Sequence, residues 1–339
     1  MTRVKKTSST TVSIEDVARL AGVSITTVSR VLNKFSSVKE KNRVKVLSAI
    51  KELHYQPSVL AQRLATGKSN VVALIVPRYE GIFYSFYALE LIRGIGTICE
   101  SLKLDLLLHI TEANAPLNLK GAGGIIFADV IGNRQQLLDA LATGTPCVVI
   151  NNHVTDIDVS CISIDNTGGA ESAVNYLIGL GHRRIAHITG DLITQAAGQR
   201  LEGYKRALKK GGIEANPDYI FKTDYSRGQA RQIAERLIEM DNPASAVFVA
   251  SDSMALEVMT VVKELGRDVP GDLSIVGFDD NPSGLYGSVA LTTVRQPLLK
   301  MAHEAVKELT LLMGGKKGGA RKFVLPTELV VRESCRTIA

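Results

Sequence analysis

Between residues 24 and 30 the chain reads Ser24, Ile25, Thr26, Thr27, Val28, Ser29, Arg30. Hydroxyls at Ser24, Thr26, Thr27 and Ser29 beside the Arg30 guanidinium can exchange hydrogen bonds with base edges and phosphate oxygens. Farther along, polar residues stand at the ends of apolar runs: Asn151 after PCVVI, Ser251 and Asp252 after SAVFVA, Asp279 in GFDD. Nothing in the chain asks for catalysis. Gly94-Ile95-Gly96 is followed by Cys99 where a dinucleotide fingerprint needs a third glycine. The MGGKKGG run at 313–319 lacks the GK[ST] of a phosphate loop and reads as a solvated turn. Histidines 54, 109, 153, 182, 187 and 303 have no metal-ligand spacing, and no serine lies in a GxSxG elbow. No enzyme, cofactor or metal is expected.

The polar run needs a helix to carry it. Ile14, Val17, Ala18 and Ala21 fall at helical spacing, Gly22-Val23 breaks the pattern, and Val28, Val31 and Leu32 resume it. Two short helices joined by a glycine turn make a helix-turn-helix, whose second helix can enter a DNA major groove. An ordinary helical hairpin in a core is the other reading, and the charge argues against it. Residues 1–68 hold 13 Lys and Arg against 4 Asp and Glu, a balance of +9, whereas the remainder holds 27 against 30, a balance of −3. A cationic module beside a near-neutral body points to a polyanion partner for that module alone. Ser13 and Asp16 resemble a capping box for the first helix. A third helix is expected from a Ser36-Ser37 cap toward Tyr55-Gln56, ended by Pro57. Residues 58–70 are too apolar for a solvated coil and too short to hold a helix alone, as in a segment that orders on meeting a partner.

From Val71 the pattern changes. Apolar runs at 71–77, 104–110, 123–128, 146–151, 183–190, 245–251 and 273–279 alternate with helical segments at 134–143, 168–180, 199–210, 227–240, 253–265 and 297–313. Near-continuous apolar strands separated by helices imply parallel sheets covered on both faces, and their number fits two similar subdomains better than one sheet. Ligands of such folds bind at the carboxyl ends of the strands. Cys99, Cys147, Cys161 and Cys335 show no CxxC pairing and read as small core residues. No run approaches the ~18 apolar residues of a membrane span, and no signal peptide is visible, so the expected location is the cytoplasm, at the nucleoid.

The string 14–33 (IEDVARLAGVSITTVSRVLN), followed in order by ALIVP, GHRRIAHITG, QRLEGYKRAL, GFDD, LTTVRQP and PTELVVRES, resembles the lactose-repressor (LacI/GalR) family of bacterial transcription regulators from about residue 12 to 335. The resemblance implies an all-α helix-turn-helix head at 1–57 and a hinge helix at 58–68. It further implies an α/β core like the periplasmic sugar-binding proteins, with two doubly wound parallel-sheet subdomains. These would be 69–164 with 297–324, and 165–296 with 325–339. A homodimer on a palindromic double-stranded operator, answering a small effector, is implied too.

On that match Ile25 and Thr26 read base edges, and Arg30 meets bases or phosphates. Ser24 lies where the recognition helix starts, and Thr27, Ser29 and Asn33 suit phosphate or sugar contacts. Leu64 falls on the leucine that wedges into the minor groove and Ala61 on its small partner; Leu64 also suits hinge-to-core packing. Arg200 and Asp279 fall on the family's effector-contacting arginine and aspartate, and Tyr225 on its stacking ring. Ser251 and Asp252 match the polar pair near effector hydroxyls, although Asp252 equally suits capping of the next helix. Asn151 and Tyr87 complete the set. As alternatives, Arg200 suits a structural ion pair and Tyr225 rim packing.

Two departures stand out. The segment 78–95 is about four residues longer than the family's usual run and holds Tyr79, Phe83, Tyr84, Phe86 and Tyr87. This cluster either stacks on a sugar or builds core and dimer contacts. Only Thr111 to Gly123 separates two strands where the family places a whole helix. The expected function is a dimeric, effector-responsive repressor, with a carbohydrate as the expected effector. A sugar-binding transport component of the same core fold is the alternative, disfavoured by the basic head.

Overall fold

The computed structural model describes residues 12–32, 35, 37–55, 69–78, 85–112, 115–117, 119, 121–315 and 318–338. Expectations for Asn33, Ala61, Leu64, Tyr79, Phe83 and Tyr84 fall outside that set. The chain forms two units, Met1–Ser69 and Asn70–Ala339.

In the first unit, α1 (Ile14–Ala21), α2 (Ile25–Leu32) and α3 (Glu40–Glu52) close on a small core of Val17, Ala18, Ala21, Val28, Val31, Val46, Ala49 and Tyr55. The capping box is complete. Ser13 Oγ accepts from the Asp16 amide at 3.3 Å, and Asp16 Oδ2 accepts from the Ser13 amide at 3.0 Å. Gly22 ends α1 in the left-handed region (φ 63°), a conformation a Cβ disfavours. The third helix departs from expectation. It begins at Glu40 behind Lys39, whose side chain makes no capping bond, and Ser37 lies in the turn before it.

The second unit holds two six-stranded sheets. The first contains β1 (Val71–Pro77), β2 (Asp105–Thr111), β3 (Gly124–Phe127), β4 (Cys147–Ile150), β5 (Ser160–Ile164) and β11 (Lys322–Leu325). The second contains β6 (Ile185–Ile188), β7 (Ile220–Phe221), β8 (Ala246–Val249), β9 (Ser274–Asp279), β10 (Thr292–Arg295) and β12 (Glu328–Val330). Their orders, β11-β5-β4-β3-β1-β2 and β12-β10-β9-β8-β6-β7, are the same pattern written twice. All pairs are parallel except β10 with β12. In each sheet the strand order reverses beside the first strand, which puts a crevice at the carboxyl ends of β1 and β3 and of β6 and β8.

Around the sheets lie α4 (Phe86–Ser101), α5 (Arg134–Ala142), α6 (Asn166–Gly179), α7 (Gln195–Lys210), α8 (Arg227–Glu239), α9 (Asp252–Glu264) and α10 (Leu298–Met313). One apolar cluster runs from Val72 and Leu74 of the first sheet to Phe248, Phe278 and Val294 of the second. Gly94 has a packing role: a Cβ there would come within 2.8 Å of Ala302 Cβ, so its absence lets α4 close on α10. Between β2 and β3 the described residues form no helix. Gln136 Nε2 donates to Thr111 Oγ1 at 2.9 Å and also to the Ala115 carbonyl, tying down the shortened connection. Cys99, Cys147 and Cys161 are buried free thiols, and Cys335 is half-buried.

Candidate functional sites

On the head, the side chains that could meet DNA sit on α2. Ser24 caps it: its Oγ accepts from the Thr27 amide at 3.2 Å and lies 2.9 Å from Thr27 Oγ1. Ile25, Thr26 and Arg30 are exposed, and Thr27 and Ser29 are half-buried. An isoleucine left 46% exposed at the first turn of a helix whose other apolar side chains pack inward is available for apolar contact, such as with a thymine methyl.

The second site is a cleft between the two sheets. Arg200, on α7, is buried with its planar group over the Phe278 ring, 3.7 Å from the centroid. Its Nε donates to Asn166 Oδ1 at 2.9 Å and its Nη1 to the Ala250 carbonyl at 2.6 Å. Asp279 ends β9 and accepts from Gln296 Nε2 at 2.5 Å. Ser251 caps α9, accepting from the Met254 amide at 3.4 Å. Asp252 is fully buried; Thr293 Oγ1 donates to its Oδ1 at 2.6 Å and the Asn281 amide to its Oδ2 at 2.7 Å. Its carboxylate therefore fixes the turn after β9. Burial raises both Asp252 and Asp279 above the usual carboxylate range; repulsion from Asp279 adds to this at Asp252, and Arg200 partly offsets it at Asp279.

Tyr225 lies in the loop after β7 with its ring face against Gly190, where a Cβ would fall 1.9 Å from Cζ. Gly190 leaves the ring that room. The phenol lies within electrostatic reach of Arg200, Asp279 and Asp129. Asp129 comes from the other sheet, two residues past β3, and escaped the sequence reading, as did Gln296. Its Oδ1 accepts from the Val130 amide at 2.7 Å and its Oδ2 from Asn151 Nδ2 at 3.2 Å. Burial pushes its carboxyl up to about 6. Asn151 thus faces the cleft through Asp129. Tyr87 reaches the same strand end, donating to the Ala128 carbonyl at 3.3 Å, and with Phe86 packs on the apolar cluster.

Of the six non-glycine residues with positive φ among the described residues, four are here: Asn151 (69°), Tyr225 (68°), Asp279 (134°) and Asp280 (59°). Such strain persists where surrounding structure over-determines it, typically at ligand clamps.

A helix-turn-helix beside a two-lobed α/β body is the build of a ligand-controlled DNA-binding protein. Residues 13–58 match the model of "Bacterial regulatory proteins, lacI family", and residues 174–335 match that of a "Periplasmic binding protein-like domain". The chain is 33% identical to the catabolite control protein A of Priestia megaterium over 336 residues, covering 96% of this chain and 99% of that one. Two solved structures are similar to it over nearly their whole length. One is the transcriptional regulator CelR in complex with cellobiose (TM-score 0.71, 30% identity, 95% of this chain and 99% of that one). The other is the lac repressor dimer bound to operator and the anti-inducer ONPF (TM-score 0.84, 26% identity, 97% and 100%). The chain belongs to the lacI family of bacterial regulatory proteins. It is a DNA-binding transcriptional regulator with an effector-binding core, and its relatives are named as regulators and repressors, not enzymes. No helix among the described residues is long and apolar enough to cross a membrane.

Proposed function

We propose that this regulator represses by binding a palindromic operator as a homodimer, and that a carbohydrate held in the cleft switches it. Convergence of the Tyr225 ring, the Arg200 guanidinium and the Asp279 carboxylate at one cleft carries the effector half of this reading. An aromatic face receives the apolar face of a sugar ring, while charged hydrogen-bonding groups receive its hydroxyls. The binding of cellobiose by the similar CelR supports the same chemistry. Asn151 and Tyr87 serve the opposite wall, Ser251 caps α9, and Asp252 holds the turn that presents Asp279.

On the DNA side, Ile25 and Thr26 read base edges, and Arg30 meets a base or phosphate. Ser24, Thr27, Ser29 and Asn33 set register on the backbone. Leu64, with Ala61 beside it, enters the minor groove at the operator centre, where an apolar wedge unstacks one step at a cost of a few kcal/mol. The effector acts only through its differential affinity for the DNA-competent and DNA-incompetent arrangements of the core.

Binding-site selection from random duplex DNA, followed by mobility shift with added sugars, tests both halves. A two-fold symmetric site is expected, with altered preference in Ile25→Ala and Thr26→Ala and at least one sugar that changes affinity. Unchanged preference in both variants, or an asymmetric site, defeats the DNA half; indifference to every sugar defeats the effector half.

A further inference from the structure

The cleft walls are unequal in what they offer a ligand. On the second-sheet side Gln296 is buried, and it donates its amide hydrogen to Asp279, yet its Oε1 has no hydrogen-bond partner. On the first-sheet side Asp129, 9% exposed, uses one amide and one asparagine donor. Two carboxylate oxygens hold about four acceptor positions, so these two bonds leave Asp129 acceptor capacity, and its charge is felt at the Tyr225 phenol on the other wall. Against these acceptors stands Arg200, with two of its nitrogens already committed to Asn166 and Ala250.

We infer that Asp129 is a specificity-determining residue, selecting effectors that present hydrogen-bond donors, hydroxyl or ammonium, to the first-sheet wall and refusing those that carry a phosphate or carboxylate there. This rests on the carbohydrate reading above and narrows it to neutral and amino sugars, against phosphosugars and uronates. The physical ground is twofold. A buried acceptor left without a donor costs free energy, so a ligand lacking donors loses affinity. A second anion brought beside the nearly buried Asp129 meets like-charge repulsion and must be desolvated as well. Asn151 sharpens the selection, because its amide fixes the Asp129 carboxylate from a left-handed backbone position that holds its direction.

Three probe sets test this on the full chain by thermal shift and calorimetric titration: neutral sugars (glucose, galactose, maltose, cellobiose), amino sugars (glucosamine, galactosamine), and anionic ones (glucose 6-phosphate, galactose 6-phosphate, glucuronate). The tightest ligand is expected from the first two sets, with its anionic counterpart at least about tenfold weaker. Asp129→Asn is expected to weaken that ligand by about 10- to 100-fold while unliganded Tm does not fall, the usual range for losing a hydrogen bond to a charged group. Equal or tighter binding of an anionic probe overturns the inference. So does a neutral sugar that binds wild type and Asp129→Asn alike, an outcome that leaves the carbohydrate reading standing. Failure of all three sets to bind wild type removes the carbohydrate reading and this inference with it.

Discussion

The two walls of the cleft descend from sheets of the same strand order, yet they are built differently. On the second-sheet side the polar groups are wired into the core. Arg200 ties α7 to the end of β8 and stacks on Phe278, Asp252 ties α9 to β10 and the 279–281 turn, and Gln296 holds Asp279. On the first-sheet side Asn151 donates to Asp129, and the Val130 amide is shared between Asp129 and Asn152, joining the ends of β3 and β4. On the proposed reading, one wall is both site and scaffold and the other is chiefly site. Changes on the first should therefore lower stability and binding together, and changes on the second should alter binding alone.

The largest effect is expected from Arg200→Ala. It strands the Ala250 carbonyl, removes the packing on Phe278 and leaves Asp279 without its nearby cation. We expect a loss of about 3 kcal/mol or more in denaturant unfolding, with effector binding abolished. A variant that folds as well as wild type would erase the distinction between the walls.

The scaffold wall can also be read through pH. His187 on β6 is fully buried between Tyr204 and Phe248, with ring centroids at 5.1 and 4.7 Å. Its Nδ1 lies 2.9 Å from the Phe248 carbonyl and so carries the proton, while Nε2 has no partner. Burial, with Arg200 nearby, lowers its pKa to about 4. A depressed folded-state pKa means that the neutral ring's contribution is intact above the unfolded value near 6.5 and is lost as pH falls toward 4. His187→Phe should therefore gain on wild type by about 2 kcal/mol between pH 7.5 and pH 5 in thermal unfolding. The cleft acids are shared by both proteins and largely cancel in the difference. A difference that is constant with pH would remove His187 as a source of acid sensitivity.

The smallest effect concerns the join between the walls. The His153 amide donates to Gln195 Oε1 at 2.6 Å, and Gln195 Nε2 donates to the His153 carbonyl at 3.2 Å, bridging the loop after β4 to the start of α7. Gln195→Ala is expected to cost about 1 kcal/mol, read as a change of several-fold in effector affinity without a change in operator preference. A shift in operator preference would mean that the bridge serves the head as well.

How much was legible follows from how local each signal is. The head's helices and cap are written in consecutive residues, and Ser13, Gly22 and the α2 hydroxyls carry their meaning in place. In the core the seven apolar runs match seven of the twelve strands among the described residues, while β5, β7, β10, β11 and β12 lie outside them; at β5, Ser160 and Ser163 interrupt the apolar pattern. In the fold those hydroxyls are satisfied by Glu308 and the Phe323 carbonyl, from segments about 150 residues away. The start of α3 does not follow from the serine cap: Ser37 lies in the turn, and the helix begins at Glu40 behind Lys39. Arg200, Tyr225 and Asp279 are candidates through motif resemblance, which carries position, and the fold brings them to one cleft. Asp129 follows an apolar strand as many loop acids do, and only the chain's closure brings it toward Tyr225.

Gly190 gives this regulator a narrow point of failure. The Tyr225 ring rests where any side chain at 190 would stand, so a single added methyl drives the ring off its seat. The head would be untouched by such a change. If the cleft is the effector site proposed above, one carbon atom at position 190 acts on the response to effector through Tyr225 alone, without a change in any residue that meets DNA.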